Sequence, residues 1–147
     1  MQKILISVIM VTVIMVCSSP EIWAQAPTGN VAGFTYLKMK PVQGGTTAKR
    51  DSLIAIYNAN VVNKNEYILS HREYRNFYTA SNTDYVIVEE FKDMASMEKA
   101  NAMTTELEEK AWPDKMKREA FMDAMNAYFE NWHGDAIFST NTKLSKN

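Results

Sequence analysis

Nine residues, Asp84 to Lys92, constrain this chain more than any others: Asp-Tyr-Val-Ile-Val-Glu-Glu-Phe-Lys. Their β-branched and aromatic density predicts a central strand, entered from the turn-forming Asn82, Thr83 and Asp84. Strand alternation puts Tyr85, Ile87, Glu89 and Phe91 on one face and Val86, Val88, Glu90 and Lys92 on the other. Apolar residues on both faces imply that both need covering. Asp93 to Ser96 then reads as a loop ending in a helix N-cap at Ser96.

Other elements follow from periodicity. Phe34 to Pro41 alternates as a strand, with Phe34 and Tyr36 on one side and Leu37 and Met39 on the other. The loop from Gln43 to Thr47 lacks the glycine spacing of a P-loop or a dinucleotide fingerprint, so it reads as a connection. Ala48 to Lys64 is predicted helical behind a Thr47 cap, with Leu53, Ile56, Tyr57, Asn60 and Val61 inward, Asn58 outward, and Asn65 ending it in the left-handed region. Leu69 to Thr79 is a strand of unusual polarity, joined to the central strand by a hairpin turn over Ala80 to Thr83. A helix over Met97 to Lys110 breaks at Trp112 and Pro113. A second segment from Asp114 follows the line Phe121, Met125, Tyr128 and Trp132, until Gly134 stops it. Asp135 to Thr140 closes the chain as a last strand.

Strand, helix, strand, strand, broken helix, strand is the βαββαβ order of an α+β, ferredoxin-like antiparallel sheet with its helices on one face. The run from Tyr85 to Asp93, followed by a helix, resembles the third strand of the dimeric α/β-barrel superfamily, which includes small monooxygenase-like and NIPSNAP-like domains. Those proteins carry strand residues of the type Phe-Val-Leu-Val-Glu-x-Trp-x-Asp at this place. The resemblance extends over Phe34 to Phe138. It implies a homodimer, with one face of the sheet on the helices and the other on a second copy's sheet. It also permits a cofactor-light activity of the monooxygenase or isomerase type.

The first residues look like an export signal. Lys3 supplies the charge and Ile4 to Val16 is apolar apart from Ser7 and Thr12, too short for the ~20 apolar residues of a membrane span. Cleavage after Ala26 would leave Pro27 at the new N-terminus, so cleavage between Ala24 and Gln25 is favoured. Val16 before Cys17 argues against a lipoprotein. The expected organisation is a signal peptide over 1–24, a disordered lead-in over 25–33, the α/β domain over 34–140 and a polar tail over 141–147. The mature protein is then periplasmic or secreted, with no membrane span. Cys17, the only cysteine, leaves with the signal, which removes disulfides, thiolate metal sites and a cysteine nucleophile from the mature chain. A net charge of -1 with dispersed basic residues gives no footprint for nucleic acid.

Chemistry must therefore rest on few residues. His71 lies in the polar strand beside Arg72, Glu73 and Arg75, where an edge position would tolerate such charge. His133 and Asp135 flank Gly134. They read either as a helix-end arrangement or, with Glu89 or Glu90, as an acid/base or ligand group. No spacing matches a metal motif, and neither metal nor cofactor is expected; a haem would need His71 or His133 as its axial ligand. Six of the seven mature methionines fall between Met94 and Met125, which suits core filling under the broken helix. If the sheet face away from the helices encloses a pocket, Phe34, Tyr36, Tyr85, Ile87 and Glu89 line it, with His71 or Tyr74 from the neighbouring strand according to register. Aromatic walls with few polar groups suit a small, partly apolar ligand. Ligand binding in such a pocket is the expected function. The alternative is an enzyme using His133, Asp135 and a strand glutamate.

Overall fold

The structure, a computed structural model, describes residues 29–76 and 84–139. Four antiparallel strands form one sheet: β1 (Val31–Met39), β2 (Ser70–Arg75), β3 (Tyr85–Phe91) and β4 (Phe129–Ser139). Their order is β2-β3-β1-β4, so β3 and β1 are central and the polar β2 is an edge. Between the strands run α1 (Thr47–Asn60), a 3-10 turn (Val62–Lys64), α2 (Met94–Ala111) and α3 (Lys115–Asn126). This is the ferredoxin-like α+β fold. None of the described helices is long and apolar enough to cross a membrane.

Each helix begins where a side chain can accept from an otherwise unpaired backbone N–H. Thr46 accepts from Lys49 N, Asp93 from Ser96 N and Asp114 from Met116 N and Lys117 N. The caps fall a residue before the expected Thr47 and three before Ser96, because the shorter loops leave Thr46 and Asp93 extended and free to reach back. At the end of the 3-10 turn Asn65 is extended (φ -84°), not left-handed. Its buried amide instead donates to Ala100 O at 2.8 Å and Thr104 Oγ1 at 3.1 Å, tying the turn to α2.

Two expectations fail at the sheet's far edge. The helix expected to run to Trp132 ends at Asn126, and β4 begins at Phe129, so Gly134 is mid-strand and stops nothing. The aromatic residues that continued a helical period fit a strand equally well, and pairing with β1 decides the matter. Leu37 pairs with His133 and Met39 with Phe129, leaving a bulge in β4 that keeps Lys40 N bonded to Tyr128 O. At the start of β1, Val31 to Gly33 are already strand, ahead of the expected Phe34. The hairpin turn expected over Ala80 to Thr83 lies outside the described residues.

Register divides the sheet into two unlike faces. Val31, Gly33, Thr35 and Leu37 of β1 pair with Phe91, Glu89, Ile87 and Tyr85 of β3, and His71 and Glu73 of β2 pair with Glu89 and Ile87. These residues share the helix side, where Val31, Tyr85 and Phe91 are buried with Val61, Val62, Ala100 and Tyr128. Trp112 stacks on Phe121 at 4.3 Å and fixes α2 against α3. Gly45 lets the loop approach closely: a Cβ there would stand 2.8 Å from Tyr128 Oη and 2.9 Å from Val42 Cβ. The other face carries Phe34, Tyr36, Tyr74, Val86, Val88 and Phe138. Phe34 packs edge-on against Phe138 with ring centroids 5.1 Å apart, and Tyr74, Trp132 and Phe138 are half exposed.

Candidate functional site

Between the sheet and the helices lies a cavity of about 550 Å³. Its apolar wall comes from Leu37, Ile54, Val62, Ile68, Ile87 and Phe129. All three helices contribute to it, so they stand on one side of the sheet. Its polar wall is a connected cluster centred on His71.

The edge strand builds this cluster by alternation. His71 and Glu73 turn inward while Arg72, Tyr74 and Arg75 are exposed. Pairing of His71 with Glu89 brings Nδ1 within 2.9 Å of Glu89 Oε1, and Nε2 lies 3.2 Å from Glu73 Oε1. Glu73 is further held by Asn58, whose amide donates at 2.6 Å, and by a hydrogen bond from the Tyr85 hydroxyl to Oε2. Tyr85 itself is 1 % exposed, its ring edge-on to Phe129. Beside them Tyr57 donates to Glu108 Oε1 at 2.8 Å.

The electrostatics follow from these contacts. Burial works against a charged imidazole, but hydrogen bonds and charge from Glu73 and Glu89 outweigh it and raise the His71 pKa to about 9. The bond from His71 is the largest influence on Glu73. With those from Tyr85 and Asn58 it outweighs burial and lowers the carboxyl to about 2. Burial first, then the neighbouring carboxylates, raise the phenols of Tyr57 and Tyr85, which stay neutral donors. At neutral pH the cluster is therefore an imidazolium between two carboxylates.

The candidate residues divide accordingly. His71, Glu89 and Tyr85 come together at the cavity. Tyr36 and Tyr74 do not: both pair with Val86 and lie on the opposite face, because each is one residue out of step with the inward set. Phe34 goes with them. Glu90 also faces outward and accepts from Ser70. The pocket is thus on the helix side of the sheet, the reverse of the face expected from sequence.

His133 and Asp135 form their own pair, Nε2 to Oδ2 at 3.1 Å, with Thr35 donating to Asp135 Oδ1 at 2.9 Å. His133 reaches the cavity rim, but both side chains are more than half exposed. They sit mid-strand on β4, so neither meets a helix end. Strand β1 separates them from Glu89, and two strand spacings are about 10 Å. The expected group of His133, Asp135 and a strand glutamate is not assembled.

Glu73 and Asn58 were missed as site residues. Glu73 sits two residues from His71, so period-two alternation marks it. Nothing in the sequence distinguishes Asn58, which reads as a solvent-side helix residue. Among the described residues no group of three or more His, Cys, Asp or Glu side chains is placed to hold a metal ion. Both His71 nitrogens already face carboxylates.

Fold and cavity together define a small α+β ferredoxin-like protein with a charged cluster walled in between sheet and helices. Solved structures of that class match it along most of their length. One from Caulobacter crescentus, described as a "putative antibiotic biosynthesis monooxygenase", has a TM-score of 0.53 at 13 % identity, covering 80 % of this chain and 95 % of its own. A point variant of SnoaB, a cofactor-independent oxygenase from Streptomyces nogalater, gives 0.51 at 14 %, covering 80 % and 99 %. A Dabb-family protein with a ferredoxin-like fold from Mesorhizobium loti gives 0.51 at 10 %, covering 77 % and 98 %. At these identities the likeness is one of fold. No protein-family model and no curated protein matches the chain by sequence.

Proposed function

We propose that this protein is exported and binds a small, partly apolar molecule in the cavity between sheet and helices, working as a homodimer joined through the outer sheet faces. The observation that carries the reading is the His71–Glu73–Glu89 cluster set into an apolar cavity of about 550 Å³, within the size range of small-molecule sites. Export rests on the apolar run from Ile4 to Val16, and intact mass of the envelope fraction tests cleavage between Ala24 and Gln25. The dimer rests on the aromatic outer face.

A second reading is a cofactor-light enzyme, as the oxygenases of similar fold suggest. A charged cluster in a cavity favours it. The protonation states favour binding instead: a general base works best with a pKa near the working pH. His71 at about 9 keeps its proton and Glu73 at about 2 is a weak base. These groups are better at holding a ligand's polar end than at moving its protons. A thermal-shift screen of small aromatic and aliphatic compounds tests the binding reading. Hits abolished by the cavity-filling substitution Ile87→Trp support it. Hits that persist unchanged in a folded Ile87→Trp protein contradict it.

A further inference from the structure

We propose that the cavity selects ligands with a cationic amine on an apolar body, bound through Glu89, and disfavours carboxylates and phosphates. This deepens the binding reading above and rests on it.

The charge of the cavity wall is uneven. Glu73, Glu89, Glu130, His71 and His133 line it, and among the described residues no lysine or arginine does. Glu130 is balanced from outside, 3.7 Å from Lys38 Nζ, and His133 lies at the rim with its Nε2 3.1 Å from Asp135 Oδ2. Among the groups that line the cavity, the central cluster has two carboxylates for one imidazolium; Arg50 and Arg75, which share Asp51 behind Tyr85, do not line it.

Hydrogen bonding locates that surplus. Glu73 has three side-chain donors spread over both oxygens, from Asn58, His71 and Tyr85. Glu89 receives His71 on Oε1 only. Among the described residues no donor reaches Oε2. This carboxylate is 30 % exposed and lines the cavity, so its second oxygen is the acceptor left for a ligand. An ammonium group there would neutralise the cluster and form a charge-assisted bond. An anion would add like charge in a partly desolvated space, which is unfavourable. The ligand's carbon body would then lie along Ile54, Ile68 and Ile87, from both layers of the fold.

The test uses three probes of similar size and different charge: phenethylamine, phenethyl alcohol and hydrocinnamate. Their affinities for the mature protein are measured by saturation-transfer and chemical-shift NMR titration at neutral pH. The amine is expected to bind at least about tenfold more tightly than the alcohol, and the carboxylate most weakly, a ratio one charge-assisted bond can supply. Glu89→Gln should bring the amine-to-alcohol ratio close to one. The ratio in the unsubstituted protein stands as a test whether or not that variant folds. If alcohol and carboxylate bind as well as the amine, the charge selection is wrong and the cavity reading survives. If none of the three shifts a resonance of a cavity residue at millimolar concentration, the cavity reading fails and the selection with it.

Discussion

His71 Nδ1 lies 2.9 Å from Glu89 Oε1, across a β2–β3 pairing in which the two residues are direct neighbours. The contact converts an edge-strand histidine into part of a cavity wall. Its other nitrogen meets Glu73, so the ring is held on both sides and carries a proton where a free imidazole would not.

Stability should depend on pH through this cluster. His71 has a pKa of about 9 in the fold against an ordinary 6.5, so its contribution is full below pH 6.5 and is lost as pH rises through 9. Glu73 is at about 2 against 4.5, so its contribution is present above pH 4.5 and is lost as pH falls through 2. Both describe one set of contacts, together about 1–2 kcal/mol after solvent screening. Urea denaturation at a series of pH values should show a plateau between the two ordinary values and an alkaline fall that His71→Gln flattens. An alkaline limb unchanged by that substitution would contradict the assignment.

Tyr85→Phe removes one donor from Glu73 and leaves the aromatic packing on Phe129. A loss of about 1–2 kcal/mol is expected, with the Glu73 pKa moving upward because one of its stabilising bonds is gone. Chemical denaturation gives the first and carboxyl NMR titration the second. A neutral substitution with unchanged Glu73 titration would show the hydroxyl to be idle.

The outer sheet face should join two copies. Tyr74, Trp132 and Phe138 are each about half exposed there, beside Phe34 and Tyr36. Contiguous apolar surface of this kind marks an interaction site. Light scattering is expected to give twice the mass of the mature chain, and Phe138→Lys to shift it toward monomer. An unsubstituted protein that is monomeric at micromolar concentration would rule out the sheet-to-sheet dimer.

How legible this was in the sequence varied with the range of the interaction concerned. The central strand was plain because Tyr85 to Phe91 is dense in β-forming residues, and the βαββαβ order followed from local periodicity. The start of β4 was not, since Tyr128 and Trp132 continue a helical period and only the pairing of Phe129 and His133 with β1 shows that the helix has given way to strand. The site was hidden for the same reason. His71 and Glu89 are 18 residues apart in sequence, and a one-residue change of register would have sent them to opposite faces. Alternation within each strand groups Tyr36 with Phe34 and leaves His71 or Tyr74 open, but only register matches the faces of neighbouring strands, and it puts Tyr36 and Tyr74 on the other side of the sheet.

The charged wall of the cavity depends on His71 being clamped as an imidazolium between Glu73 and Glu89, and one titration tests that directly. The chain has two histidines, so in His133→Asn the imidazole signal belongs to His71 alone. Its ring carbon and proton shifts, followed by NMR from acid to alkaline pH, should move with a midpoint near 9. A midpoint at or below the ordinary 6.5 would mean that the carboxylates do not hold the ring, and the charged cavity wall described here would not exist.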